Sequence, residues 1–345
     1  MEPLITVGIA SYNYAGYLAR ALEQIRKQKF TQFEILISDD CSTDDSLNVI
    51  KTFMSDNPQI SCRLIENEKN GGLIANKNKI VQNCRGKYLM LCDADDWMDE
   101  NCLERIANVI LREDPDRVLV EVAHTKEDGS VIQVEHIPAN QTKWGWNIHH
   151  GCAYKSSIIR THNIKMREGL GDDLYFTIEF SKHCQKVSII NETLYYWHVH
   201  LDSEGRKVRN QPIKEIVDRS IRSLRYIDNT IKYINKRNDG QAAQDKEELR
   251  LVMLKIYYFR ILFSCQRDSL KNKWIHYRNL HKTMLEIDKN YLRNSYINKR
   301  QENEDVLRPY AMRAIRLCSK LERIHFMPLA LTGYHILGEF MYFDQ

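Results

Sequence analysis

The sequence predicts an α/β domain with a mostly parallel sheet flanked by helices, followed by an all-α C-terminal region. Two patterns carry this expectation. Over about the first 130 residues, short apolar runs alternate with amphipathic stretches, as in successive βαβ units. Beyond Glu204 the strand pattern disappears and helical periodicity takes over. A length of 345 residues allows two hydrophobic cores, so residues 1–205 and 206–345 are read as separate domains.

Each element has a local justification. Ile5–Ala10 is an apolar run of strand length, and Tyr17–Lys27 carries Leu18, Leu22 and Ile25 at helical spacing. Phe33–Ser38 is the second strand and runs into Asp39-Asp40. Ser42 with Asp45 has capping-box spacing ahead of a helix over Ser46–Met54. Cys62–Ile65, Lys87–Cys92 and Val118–Val122 read as strands, with Leu73–Asn83 and Leu103–Leu111 as the helices between them. Asp128-Gly129 marks a hairpin. Helices are expected around Lys155–Thr161 and Asp173–His183, and short strands at Val187–Ile190 and Leu194–Trp197. Five amphipathic helices are expected after that: Ile213–Asn235, Gln244–Cys265, Trp274–Asp288, Glu302–Arg323 and Leu329–Met341.

The composition, 43% hydrophobic and 28% charged, is that of an ordinary globular protein. No charge-free apolar run approaches the roughly 18 residues that span a bilayer. Met1-Glu2-Pro3 has neither the basic nor the apolar region of a signal peptide. Nine scattered cysteines without paired CxxC spacing suit free thiols in a reducing compartment and disfavour a zinc site. The expected location is the cytoplasm, with peripheral contact at the inner face of the membrane as an option. The net charge of +4 is unevenly spread. Residues 1–205 carry 22 Lys+Arg against 30 Asp+Glu (−8), whereas residues 206–345 carry 28 against 16 (+12). That asymmetry suggests different partners for the two regions, or a basic surface needed only for solubility.

The chemistry is concentrated at strand ends. Tyr88–Cys92 leads directly into Asp93-Ala94-Asp95-Asp96-Trp97, Asp39-Asp40 ends the second strand, and Asp172-Asp173 follows Gly169-Leu170-Gly171. In a parallel sheet the strand C-termini face one crevice, where ligands bind. Carboxylates clustered there need a cation or several donors to remain ionised together. A solvated acidic turn capping the helix near Asp99 is the structural alternative for the first cluster, and a helix N-cap pair is the alternative for Asp172-Asp173. No GxxxxGK[ST] is present, and Gly71-Gly72 lacks GxGxxG spacing, which excludes a P-loop and disfavours a dinucleotide fold.

Four segments in order resemble family 2 glycosyltransferases: Thr6–Asn13, Ile37–Asp44, Asn70–Leu73 and Gly86–Asp96. The resemblance covers about residues 4–203. It implies the GT-A fold, a nucleotide-sugar donor and inverting transfer without a covalent intermediate. By this resemblance Ser11, Tyr12 and Asn13 would lie along the nucleoside. Asp40 would accept the imide N–H of uracil, which leans toward a UDP-sugar. Asp93 would touch the ribose or a metal-bound water. Asp95 would hold Mn²⁺ or Mg²⁺ bridging the diphosphate, and Asp96 is a further candidate for that metal.

Asp172-Asp173-Leu174-Tyr175-Phe176 matches the family's Glu-Asp motif with Asp in first place. Asp173 is then the general base, expected to have a raised pKa beside another carboxylate. In the segment Tyr195–Ser203, His200 fits the metal-completing position better than His198, and Trp97 is read as packing. Lys77-Asn78 stands where many relatives have Arg-Asn. Lys offers a charge without a bidentate fork, so its nucleotide contact is the least secure. Trp144, Trp146, His149, His150 and Asp172 fall where the sugar or acceptor side is shaped, although large aromatics serve equally as core.

The acceptor implied is a glycan of surface-polysaccharide assembly. Tyr257, Tyr258, Phe259, Trp274 and Tyr277 on the basic helices are read as contacts to an anionic membrane carrying a lipid-linked glycan, or to a nucleic-acid backbone. A protein acceptor and homo-oligomer formation stay open. Two other classes remain: a non-catalytic nucleotide-sugar-binding module, and a metal-dependent phosphohydrolase that would split the donor with no acceptor present.

Overall fold

The computed structural model describes residues 2–138, 141–145, 148–167, 172–200, 213–237, 240–259, 269–298 and 309–337. They divide into two units: Met1–Ile137 with Asn147–Leu201, and Pro138–Trp146 with Asp202–Gln345. Trp146, the Gly169–Gly171 turn and Asp202-Ser203 lie outside the described residues, as do the expected helical stretches 260–265, 302–308 and 338–341.

The first unit is organised by a nine-stranded sheet. Its strands are β1 (Ile5–Ser11), β2 (Phe33–Asp39), β3 (Ser61–Glu66), β4 (Tyr88–Asp93), β5 (Trp97–Met98), β6 (Arg117–Thr125), β7 (Val131–Glu135), β8 (Cys152–Lys155) and β9 (Val187–His198). The order is β3-β2-β1-β4-β8-β6-β9-β5, with β7 added to β6. β1 is fully enclosed, parallel to β2 on one side and β4 on the other, and its side chains are almost all buried on both faces. The helices are α1 (Ala15–Arg26), α2 (Ser46–Asp56), α3 (Leu73–Asn83), α4 (Cys102–Glu113), α5 (Ser156–Thr161) and α6 (Asp172–His183). α3 packs on β1 and β2, α4 on β6 and β9, and α1 on α2 and β5.

This order gathers the acidic segments on one edge. Chain order reverses at β1, with β2 and β4 on opposite sides, which opens a crevice at the strand C-termini. β8 runs antiparallel to β4 and β6, so the residues just before it, His149 and His150, reach the edge where β4 ends at Asp93. β9 is parallel to β6 and delivers His198 and His200 to that same edge. Gly151 turns the chain between His150 and β8 at φ 65°, and a Cβ there would sit 3.0 Å from the Val120 carbonyl oxygen.

Several elements differ from the expectations. Val187–Ile190 and Leu194–Trp197 are one continuous strand with register shifts opposite Glu121. The short strands β5 and β8 were not foreseen. The Ser42/Asp45 capping box does not form: Ser42 Oγ bonds Asp39 (2.6 Å), and α2 begins without a side-chain cap.

The second unit contains α7 (Ile213–Ile234), α8 (Ala242–Phe259), α9 (Leu270–Ile287), α10 (Ser295–Asn298), α11 (Pro309–Arg323) and α12 (Met327–Leu337). α7 packs on α8 and α9, and α11 packs on α8 and α12. Its core mixes aliphatic residues with a buried polar hub. Glu322 Oε1 accepts from Tyr257 (3.0 Å) and Tyr277 (2.9 Å) and lies 2.8 Å from His281 Nδ1. Tyr257, Tyr258 and Tyr277 are therefore core residues and not the exposed membrane or nucleic-acid contacts expected of them. Among the described residues no helix is long and apolar enough to cross a membrane.

Trp144 is corrected in the same way. It is 1% exposed, and its Nε1 donates to Asp245 (3.0 Å) inside the helical unit, so its face is closed to a sugar. Asp245 is buried and is also approached by Lys143 (3.2 Å) and Arg237 (3.1 Å). Trp144→Phe removes a donor from that buried carboxylate and is expected to lower stability by about 1–3 kcal/mol in denaturant unfolding. An unchanged midpoint would contradict the anchoring role.

Candidate active site

The site is built around Asp93, the last residue of β4. Its Oδ1 lies 2.9 Å from Lys77 Nζ and 3.5 Å from His149 Nε2, and its Oδ2 lies 3.1 Å from His150 Nε2. On its other side the His149 ring bonds Asp173 at the first turn of α6, through Nδ1. Side chains from α3, β4, the segment before β8 and α6 thus form one chain of charge: Lys77, Asp93, His149, Asp173. Burial pushes the Asp93 carboxyl up, but Lys77 and His149 outweigh it and hold the group well below the usual carboxylate range.

Asp173 follows the same rule and departs from expectation. Burial raises its pKa, yet the His149 ring and then Lys77 pull it down to about 2. The anticipated raised pKa assumed a carboxylate as neighbour, and the actual neighbour is an imidazole. Burial would lower the His149 pKa. The Asp173 and Asp93 carboxylates prevail over the Lys77 ammonium and raise it to about 10. Asp173 Oδ1 is held by the His149 ring, and the side chain is 25% exposed.

Asp95 and Asp96 face different surroundings. Asp95 Oδ2 lies 2.7 Å from His200 Nε2, and burial plus the charge of Asp93 push its pKa up. Asp96 is fully buried; it accepts from Tyr195 Oη (2.6 Å) and from the His198 backbone N–H (2.9 Å). Its carboxyl rises well above the usual range through burial and then the charges of Asp95 and Asp93. Asp96 thus serves the β9 junction. Trp97 packs between Tyr196 (5.7 Å, stacked) and the Arg20 guanidinium (4.3 Å).

Two groups of side chains have donor atoms close enough for a shared cation: Asp93 with Asp95 and Asp96, and Asp93 with His149 and His150. In the second group a Lys77 ammonium 2.9 Å from Asp93 already supplies the positive charge and would repel a metal. In the first group Asp96 is committed to protein donors. The best fit is Asp95 with His200, where a destabilised carboxylate and an imidazole nitrogen already meet. A nitrogen donor suits Mn²⁺ better than Mg²⁺, which prefers oxygen.

The residues expected along the nucleoside occupy the loops after β1 and β2. Ser11 is buried, while Tyr12 is exposed. Asn13, at φ 54°, fastens the two loops: its Oδ1 accepts from Thr43 N (2.7 Å) and its N–H donates to Ser42 Oγ (2.9 Å). Asp40 is 2% exposed and accepts from Asn67 Nδ2 (2.8 Å), Gly71 N (3.0 Å) and Gly72 N (2.7 Å). Its carboxylate is turned onto the Gly71-Gly72 turn at the start of α3, where a negative charge also suits the helix dipole. That leaves no free carboxylate edge for a uracil, contrary to expectation. Gly72 takes φ 84° and ψ 161°, a region essentially restricted to glycine.

His150 stacks on His149 (4.2 Å) and on Trp197 (4.8 Å), and Trp197 meets His124 at a tilt of 48° (4.7 Å). Asp172 opens α6. The sequence placed His149 on the acceptor side without foreseeing its bridge between Asp93 and Asp173. Its double contact depends on β8 entering between β4 and β6, which no local signal announces.

Residues 6–167 match the family model described as Glycosyl transferase family 2. The match lies within the first unit and covers a little under half of the chain. A relative in Streptococcus pneumoniae, "Glycosyltransferase GlyG", is 33% identical over 119 residues, 34% of this chain and 39% of that protein. A second, the poly(ribitol-phosphate) beta-N-acetylglucosaminyltransferase TarS of Staphylococcus aureus, is 22% identical over 209 residues, 58% of this chain and 36% of TarS. The matches thus span well under half the length of either relative. Among solved structures, TarS residues 1–349 in complex with UDP-GlcNAc superposes with a TM-score of 0.68 at 16% identity, covering 94% of this chain and 92% of that one. The mannosyltransferase PcManGT of Pyrobaculum calidifontis, in complex with GDP-Man and Mn²⁺, gives a TM-score of 0.51 at 15% identity over 94% and 88%. The fold of the chain is therefore GT-A.

The two readings of Asp40 separate experimentally. If it holds the α3 turn, Asp40→Ala strands buried N–H groups and lowers unfolding stability by about 2–4 kcal/mol. A variant of unchanged stability with a selective loss of uridine-nucleotide affinity would restore the base-recognition role.

Proposed function

We propose that this chain is an inverting, metal-dependent glycosyltransferase that moves a sugar from a nucleotide-diphosphate donor to an acceptor hydroxyl. The observation that carries the reading is the meeting of Asp173 with Asp93 through one histidine ring. It brings a partly exposed carboxylate to the strand edge where the donor-side acids lie. The lean toward a UDP-sugar now rests on the UDP-GlcNAc complex of the TarS neighbour, since Asp40 is otherwise engaged. The acceptor class proposed is a surface glycan, in keeping with the poly(ribitol-phosphate) named for TarS.

In this reading Asp95 and His200 would hold Mn²⁺, which supplies a Lewis acid for the diphosphate leaving group. The first loop, with Ser11, Tyr12 and Asn13, would border the nucleoside. Asp173 Oδ2 takes the acceptor proton while Oδ1 stays on His149. A pKa of about 2 keeps the carboxylate ionised at every physiological pH, so the base is always in its accepting form. Its weak basicity implies late proton transfer, after bond formation to the anomeric carbon has made the acceptor oxygen acidic. Lys77 neutralises Asp93 and so lowers the repulsion that an incoming diphosphate would meet. Residues 206–345 are proposed as a separate domain for contacts beyond the donor.

The test is a panel of nucleotide sugars with and without Mn²⁺, read by binding and by transfer. Asp173→Asn is expected to keep donor affinity within a few-fold and to cut transfer by roughly 10²–10⁴-fold. Asp95→Ala is expected to lose both donor affinity and the response to Mn²⁺. Full-rate donor hydrolysis with no acceptor present would favour a phosphohydrolase instead, and an unaltered Asp173→Asn rate would remove the base.

A further inference from the structure

α11 and the turn after it expose a continuous stripe that the helical core does not use. Positions 313, 317, 320 and 324 follow i, i+4, i+7 and i+11 and fall within about 60° of helical arc. They are Arg313, Leu317, Lys320 and Ile324, while Met312, Ile315, Cys318 and Ser319 turn inward. His325, at φ 56°, ends the helix: its N–H bonds the Glu322 carbonyl (3.0 Å) and the Phe326 N–H bonds the Leu321 carbonyl (2.8 Å). The reversal brings Phe326 and Leu329 of α12 to the surface after Ile324. Leu317, Ile324, Phe326 and Leu329 are 59, 67, 47 and 59% exposed, unusual for four large apolar residues within 13 positions.

Charge decides what can cover this face. Arg313 and Lys320 are exposed on it, and among the described residues neither has an ion-pair partner. The only acidic residue between Pro309 and Thr332 is Glu322, which is buried with Tyr257, Tyr277 and His281. A second copy of the same face would bring cations against cations. A nucleic-acid backbone would satisfy the cations but leave the apolar side chains in water. An anionic bilayer satisfies both: lipid phosphates meet the cations while the apolar side chains enter the acyl boundary.

We propose that the α11–α12 face is a peripheral docking surface for an anionic membrane. It differs from the aromatic set expected from the sequence, of which Tyr257, Tyr258 and Tyr277 are buried. The surface does not depend on the glycosyltransferase reading.

The test is co-sedimentation of the full chain with phosphatidylcholine vesicles and with equal mixtures of phosphatidylcholine and phosphatidylglycerol. Binding to the anionic vesicles is expected to be at least about tenfold tighter. The combined variant Leu317→Ser, Ile324→Ser, Phe326→Ser, Leu329→Ser should fold normally by circular dichroism and weaken anionic-vesicle binding by at least about tenfold. Arg313→Gln with Lys320→Gln should also weaken it, whereas the exposed β7 pair Val131→Ser with Ile132→Ser should not. Absence of vesicle binding by the unaltered chain, or equal binding by the four-serine variant, overturns the proposal. So does a four-serine variant that turns a dimer into a monomer, which would assign the face to a second copy. Salt-sensitive DNA binding in place of vesicle binding, unaffected by the serine substitutions, would assign it to nucleic acid and likewise overturn the proposal.

Discussion

Four ionised side chains packed into one corner of the sheet impose the tightest constraint on this molecule. Lys77, Asp93, His149 and Asp173 come from four different elements, and Lys77 and His149 are almost wholly buried. Charges in that position are tolerated only when each faces an opposite partner. Each cation here has a carboxylate partner that offsets the 3.2 Å contact between Lys77 Nζ and His149 Nε2, and the arrangement works only if β8 lies between β4 and β6. The sheet order and the positive φ at Gly151 are therefore conditions for the charge chain as much as for the fold.

The chain also divides labour among the acids. Asp93 is neutralised by protein cations, Asp96 is tied to β9, and Asp95 is left with a raised pKa beside His200. Three carboxylates adjacent in sequence thus have three electrostatic environments. Burial pushes the carboxyls of both Asp95 and Asp96 up, but Asp96 is taken up by neutral protein donors while Asp95 faces His200.

The parallel half of the fold was legible because β1, β2 and β4 are buried on both faces and read as unbroken apolar runs ending in acids or small polar residues. β5 and β8, of two and four residues, were not legible: segments that short carry no periodicity. Asp173 and His200 were singled out through their spacing in motifs, and the structure sets them against His149 and Asp95. The His149 bridge was not, since it joins residues 24 and 56 positions apart in sequence through a fold-level crossing. The aromatic residues of the helical unit were misjudged for a specific reason. Amphipathic periodicity shows that one face is apolar, but a buried Glu322 that accepts tyrosine hydroxyls leaves no trace in the pattern around Tyr257 and Tyr277. Asp40 was misjudged similarly, because its partners are backbone N–H groups that every residue type shares.

The most direct test is the protonation state of the His149 ring, followed by ¹⁵N NMR of the imidazole nitrogens in the unliganded protein. Two flanking carboxylates against one ammonium predict an imidazolium that persists through pH 8 and is lost only as pH approaches about 10. By linkage, the stability gained from this raised pKa is complete below 6.5, the ordinary histidine value, and fades as pH rises toward 10. The contribution of Asp173 is complete above 3.8 and is lost as pH falls toward 2. A neutral ring titrating near 6.5, with Nε2 accepting from Lys77 at its 3.2 Å separation, would contradict the alternating charge chain on which the site rests.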